Sequence, residues 1–423
     1  MELPIVFAIA TLVIFLLLSV PIGVALGASV AAAILTGDLP PEFLMQKLVL
    51  SLDSFPLLAV PFFILSGEIM QKGRMARDLL NFSKCLVGHI RGGLAHVSVL
   101  TCMFYGALSG SAPATVAAVG GIMIPAMENE GYSKSFASAV NTASGCLGVI
   151  IPPSVPLIIY GTTSNTSVGD LFIAGIVPGV FVAVMLMLMS YFIARREHLK
   201  PEAARAPLPK ILRAFWEAKY ALMVPVIVLG GIYGGITTPT EAGAIAVAYA
   251  FIAEGLIVRT LTWAKVVDIL KSFTLTTVSI FIVITTATAF GQLLMIYNLP
   301  DLLVEHFSSL VGNKYLLLAA IMLLLLVMGT FMDALANILI LTPLLQPLVT
   351  AAGVDMIQFG IVMIVGISIG FCTPPVGVNL FVACGISGIS IEKLSYAILP
   401  YVGALIASMA VLAFVPWLSL CLM

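Results

Sequence analysis

Two Pro-Pro pairs, Pro152-Pro153 and Pro374-Pro375, stand 222 positions apart, and the residues after the second resemble those after the first. Pro178 and Pro400 keep the same offset, as do Asp170 and Glu392. A proline lacks the backbone donor and clashes with the preceding turn, so a doubled proline breaks a helix and frees several carbonyls. Both pairs sit in intensely apolar sequence. At membrane depth such irregular backbone is tolerated only where it is buried in protein or lines a cavity. A helix broken at the same place in two copies therefore points to a duplicated membrane fold of the transporter kind, with its binding site at the breaks.

Composition agrees. Of 423 residues 61% are hydrophobic and 9% charged, against about 25% charged in soluble domains. The runs 180–191, 221–236 and 316–328 approach spanning length, a crossing taking about 20 residues. Roughly ten to fourteen membrane elements, some re-entrant, fit the chain length. The alternation expected of a transmembrane β-barrel is absent, so the fold class is an all-α polytopic membrane protein. The net charge of −1 implies no nucleic-acid partner. The six cysteines show no metal-ligand spacing and read as buried small apolar residues. The N-terminus lacks a basic region and a cleavage site, so it reads as the first membrane helix. Whether 1–37 is one helix kinked at Pro21 or two short ones stays open. No HExxH, GxSxG or P-loop is present, and no enzyme is expected.

Charge clusters divide the chain into a first repeat (1–194), a cytoplasmic linker (195–219) and a second repeat (220–423). The Lys and Arg excess in short loops marks the cytoplasmic side. Amphipathic stretches at about 71–92 and 259–272 read as interfacial arms, the alternative being ordinary solvated loop helices. Polar clusters interrupt apolar runs at Ser109-Gly110-Ser111 and at Gly329 to Asp333. Each suggests two short helices meeting at a tip, giving re-entrant hairpins at about 95–127 and 315–349. The helices broken at Pro-Pro then cover about 136–165 and 357–387. That order predicts inverted repeats whose four breaks converge near the midplane.

The tips and breaks carry the candidate chemistry. Ser109, Gly110 and Ser111 offer hydroxyls and freed carbonyls at the first tip; Gly329, Thr330 and Asp333 add a carboxylate at the second. The broken helices contribute Asn141, Gly145, Gly148, Pro152 and Ser154, and Gly370, Thr373, Pro374 and Asn379. Ser154, Asn379 and Asn141 are the expected substrate contacts. Hard cations want oxygen ligands, which a helix break supplies; the alternative is that Gly and Ser only allow close helix packing. Asp333 is the deepest carboxylate, and a charge within the membrane is functional by default. Glu68 lies near a span end, and Glu241 can equally cap a helix.

These residues carry a resemblance. Ala59 to Gly67, Ser109 to Thr115, Ile151-Pro152-Pro153-Ser154, Leu171 to Gly179, Thr238 to Ala242 and Thr373 to Asn379 make the chain similar, nearly end to end, to the large membrane subunit of tripartite ATP-independent periplasmic (TRAP) transporters, the DctM or SiaM type. The resemblance implies an elevator-type secondary transporter of the bacterial inner membrane, driven by Na⁺ and using no organic cofactor. It implies a periplasmic binding protein (P type) delivering an organic acid, commonly a C4-dicarboxylate or sialic acid. It also implies a small four-helix subunit (Q type), expected here as a separate chain. By position, one Na⁺ site falls at Ser109, Gly110 and Ser111 with Gly145, Gly148 and Pro152. The second falls at Gly329, Thr330 and Asp333 with Gly370, Thr373 and Pro374. The rival readings are a divalent-anion/Na⁺ symporter needing no binding protein, disfavoured because a Ser-Asn-Thr motif is missing from both tips, and a non-transporting membrane scaffold.

Overall fold

The computed structural model describes residues 3–18, 20–37, 39–40, 42–199, 204–306, 312–374 and 376–423. Positions 200–203 of the expected linker, and Pro375, lie outside the described residues. All regular secondary structure among the described residues is helical. Among the described residues seven helices are long and apolar enough to cross a membrane, or up to nine if each of two bent pairs is one span. Shorter apolar helices include Leu3–Leu17, Ile22–Thr36 and Gly93–Ser109.

One set of helices packs mainly on itself. It opens with α1 (Leu3–Leu17) and α2 (Ile22–Thr36). Pro21 precedes α2 directly, where a missing amide costs nothing, so the first segment is two helices rather than one kinked one. Helix α3 (Glu42–Leu50) turns by 62° into the segment Phe55–Lys72, whose main part is α4 (Ala59–Lys72). The amphipathic α5 (Met75–Val87) follows at the first expected arm. After the connection come α6 (Leu208–Tyr233), α7 (Pro239–Phe251, continued as a π-turn to Ile257) and α8 (Trp263–Ile296).

Two sequence expectations change here. Positions 259–272 do not form a separate arm: Thr262 caps α8 by accepting from the Lys265 amide, and no Gly or Pro interrupts the next 28 residues before Gly291, so the helix runs on for 34. The expected linker is shorter than drawn. Arg195 and Arg196 close one helix, and Lys210, Arg213 and Lys219 ride on α6.

The second set holds the duplicated parts. The first hairpin is Gly93–Ser109 meeting Ala112–Thr115, which continues through a π-turn to Gly121–Asn129. The first broken helix is Lys134–Ser144 with Leu147–Ile150, then Val155–Ser164, bent by 43° at the prolines, with a cis Pro152–Pro153 peptide. The long helix Val168–Arg196 completes that half. In the second half Lys314–Phe331 and Ala334–Ala351 form the hairpin, and Met356–Gly370 and Val378–Ser387 the broken helix, before Ile391–Phe414. The copies keep register: Ala112 and Ala334 open return helices, and the N-caps Ser133 and Asp355 open broken helices, each pair 222 apart. The second half therefore repeats the first in backbone as well as in prolines.

Candidate functional site

At the first tip the chain reverses within two residues, and Gly110 does so in the left-handed region (φ +59°), which glycine reaches without strain. Its neighbours are backbone atoms of the first break, Pro153 to Val155. Ser109 Oγ lies 2.9 Å from Thr115 Oγ1, and Thr115 donates to the Ser111 carbonyl at 2.7 Å. Ser111 stands at the N-cap of the return helix, yet its hydroxyl makes no hydrogen bond to it. Gly148 backs the tip so closely that a Cβ there would collide with the Ser111 carbonyl, and Gly106 packs equally tightly on Leu147 and Gly148.

The second tip is built the same way with different groups. Asp333 caps the return helix, its Oδ2 accepting from the Leu335 amide at 3.1 Å. Asn337, buried one turn on, donates to the carbonyls of Met332 at 3.1 Å and Met328 at 3.3 Å, while its Oδ1 has no partner. Gly329 and Gly370 meet backbone to backbone, leaving no room for a Cβ on Gly370.

Both tips open onto one cavity of about 270 Å³. Its walls carry Ser109 to Ala114 from one hairpin and Asp333 to Leu335 from the other, with Val149, Val155 and Pro156 of the first break and Phe371 at the second. The opposite wall belongs to the other helix set: Ile64, Gly67, Glu68 and Gln71 on α4, and Thr276 and Ile280 on α8. Glu68 Oε1 accepts from Ser272 Oγ at 2.8 Å, which ties these two helices. The cavity thus presents two carboxylates, Glu68 and Asp333, and no basic side chain.

Of the residues singled out from sequence, Ser109, Gly110, Ser111 and Asp333 line the cavity. Gly145, Gly148, Gly329 and Gly370 stand behind it as close-approach points between hairpin and broken helix. Thr330 and Thr373 donate to carbonyls of their own helices, Val327 and Ile369. The Pro152 ring packs on Gly175, and Pro374 lies in the turn at the second break. The three expected substrate contacts are all fully buried and absent from the cavity wall. Ser154 donates to the Val149 carbonyl at 2.6 Å. Asn141 accepts from Ser98 at 2.6 Å and donates to Ala137 at 2.8 Å. Asn379 crosses to the Thr142 carbonyl at 3.4 Å, leaving its Oδ1 without a partner.

Sequence reading passed over Gln71, Thr276 and Asn337. The signal for Thr276 was its spacing: Thr276, Ile280, Ile284, Thr288 and Gln292 recur every fourth residue along α8, and each lines this cavity or the neighbouring hydroxyl-rich one beside Thr162 and Thr163. For Asn337 the signal was a lone amide in an apolar run.

The chain is similar to known proteins along nearly its full length. The family model described as "Tripartite ATP-independent periplasmic transporter, DctM component" matches residues 9–418. The chain is 44% identical over 415 residues to the isethionate TRAP transporter permease protein DctMQ of Oleidesulfovibrio alaskensis, covering 98% of this chain and 65% of that protein. It is 38% identical over 396 residues to the sialic acid TRAP transporter large permease protein SiaM of Vibrio cholerae (93% and 92% covered). It is 36% identical over 426 residues to the C4-dicarboxylate TRAP transporter large permease protein DctM of Rhodobacter capsulatus (97% of each). Among solved structures, the Alcanivorax borkumensis YdaH transporter shares the fold, with a TM-score of 0.67 at 16% identity over 97% of this chain and 98% of that one.

Proposed function

This chain belongs to the DctM component family of TRAP transporters, multi-pass permeases of the bacterial inner membrane that are not enzymes, and on that premise we propose that it imports an organic acid by Na⁺-coupled elevator transport. A periplasmic binding protein delivers the acid, and a small four-helix membrane subunit pairs with this chain or is joined to it, a reading supported by the DctMQ relative, of which this chain spans only 65%. The substrate belongs to the small organic-acid class named for the relatives, which spans isethionate, sialic acid and C4-dicarboxylates.

The observation that carries the reading is the cavity where both tips meet. It lies between the two helix sets, so moving one set against the other would carry it across the membrane. Two carboxylates with no cation beside them call for bound cations, and freed carbonyls with the unpartnered Oδ1 atoms of Asn337 and Asn379 suit Na⁺. Bound Na⁺ then offers positive charge to an organic anion. The two halves act as inverted repeats, each supplying one hairpin and one broken helix.

The test is uptake of labelled organic acid by proteoliposomes holding the chain, its small subunit and its binding protein, with and without an inward Na⁺ gradient. Uptake should need both the gradient and the binding protein. Uptake that persists without binding protein overturns the tripartite reading, and uptake indifferent to Na⁺ overturns the coupling.

A further inference from the structure

A second, strongly basic cleft of about 530 Å³ adjoins the tip cavity, and Gln71 lines both. One wall is the end of α4 and the start of α5, bearing Lys72, Arg74 and Arg77; the loop before α8 and its first turn add Thr260 and Lys265. The facing wall is the first hairpin, through Ala118 and Ile122. The cleft therefore lies between the same two helix sets as the tip cavity, at the Lys- and Arg-rich end that faces the cytoplasm.

Its charge is not balanced locally. Arg74 pairs with Asp78 at 3.1 Å, but Lys72, Arg77 and Lys265 have no ion pair among the described residues. The carboxylate best placed to neutralise them, Glu254 on the π-turn after α7, is fully buried. Its Oε1 accepts from the amides of Arg74 at 2.8 Å and Met75 at 3.0 Å, and its Oε2 from the Thr260 hydroxyl. Among the described residues Lys265 Nζ donates to the Thr260 carbonyl and pairs with no carboxylate. Three cations thus face a cleft whose hairpin wall is apolar, and a cleft lined by one sign of charge concentrates the opposite ion.

We propose that this cleft is a second organic-anion site, holding the carboxylate of the transported acid after it leaves the tip cavity and before it enters the cytoplasm. The proposal rests on the organic-acid reading above for the identity of its ligand. The tip cavity carries carboxylates and needs cations to hold an anion; the adjoining cleft carries cations and needs none. Loss of Na⁺ from the tips would therefore shift the anion toward Lys72, Arg77 and Lys265.

The test is a lysine-acetylation footprint of the full chain in nanodiscs, read by mass spectrometry at constant ionic strength. Succinate serves as probe and succinamide as its neutral counterpart. Succinate should slow labelling of Lys72 and Lys265 several-fold without binding protein or Na⁺. Succinamide should not, and Lys314, at the opposite hairpin, should label at the same rate throughout. Arg77→Gln should abolish the protection of Lys72 and Lys265, with unchanged Lys314 labelling showing that the variant is folded. Unprotected lysines, equal protection of Lys314, or protection retained in Arg77→Gln each overturn the proposal. The readout needs no transport: uptake without protection removes this site alone, whereas protection without any organic-acid uptake leaves an anion site and removes the transport reading.

Discussion

The thiol of Cys146 lies 3.0 Å from the carbonyl oxygen of Ser368, the residue 222 positions ahead of it. In a duplicated chain a residue meets its own counterpart where the axis relating the copies passes. Cys372 completes the contact, 3.1 Å from Cys146 and donating to the Thr142 carbonyl at 3.2 Å. The two broken helices are thus packed against each other through backbone and thiols, with the Asn379 amide reaching the same Thr142 carbonyl and Cys372 thiol.

Enlarging that contact should be costly. Cys146→Leu adds volume at a fully buried contact, and overpacking of this kind typically costs about 1–3 kcal/mol. Thermal unfolding in detergent should show a clearly lowered transition for Cys146→Leu and a smaller change for Cys146→Ala. Equal transitions would mean that the centre has room.

Gly370→Ala places a Cβ against the Gly329 backbone and must push the second hairpin off its broken helix. Gly148→Ala does the same to the first hairpin at Ser111. On the proposed Na⁺-coupled reading both variants should lose most Na⁺-dependent uptake, since the proposed ligands come from two elements that separate together. Uptake curves against Na⁺ concentration check this; wild-type curves would show that the elements need not touch.

Asp333→Asn separates folding from charge. Asn and Asp are equally good N-caps, so the thermal transition should stay in place. The apparent Na⁺ affinity should fall about tenfold or more, the equivalent of some 1.4 kcal/mol. Asp333→Ala should in addition lose about 1 kcal/mol of stability with the cap. Unchanged Na⁺ dependence in Asp333→Asn would reduce the residue to its capping role.

Glu254→Ala leaves the amides of Arg74 and Met75 without acceptors, at a cost of about 1–3 kcal/mol. Hydrogen exchange at the start of α5 should accelerate, with Glu254→Gln intermediate because one acceptor oxygen remains. Exchange that does not change would mean that α5 is held by its apolar face alone.

The features legible in the sequence were those that interrupt a pattern. Pro152, Gly110 and Asp333 stand out because nothing apolar and helical needs them, and they sit at the breaks and tips. The second arm was misread because Lys265 to Lys271 has the same amphipathic spacing whether the helix stops at 272 or runs to Ile296; only the absence of a breaker decides. Ser154 and Asn141 were expected at the substrate because they are polar. Polarity in an apolar chain equally marks a group that satisfies a broken ladder, and Ser154 does this for Val149. Glu254 left no local signal, because its partners Arg74 and Met75 lie some 180 residues away.

The two tips place Ser111 and Asp333 at the same step of the same turn, 222 positions apart, each opening a return helix. Ser, Asn and Asp serve nearly equally well at such a step. The fold thus accepts either group there, while an ion bound at the tip, as proposed, would distinguish them. A gene duplication that began with identical halves could exchange a hydroxyl for a carboxylate at one tip without weakening the protein, making this position a cheap place for descendants to diverge in what they carry.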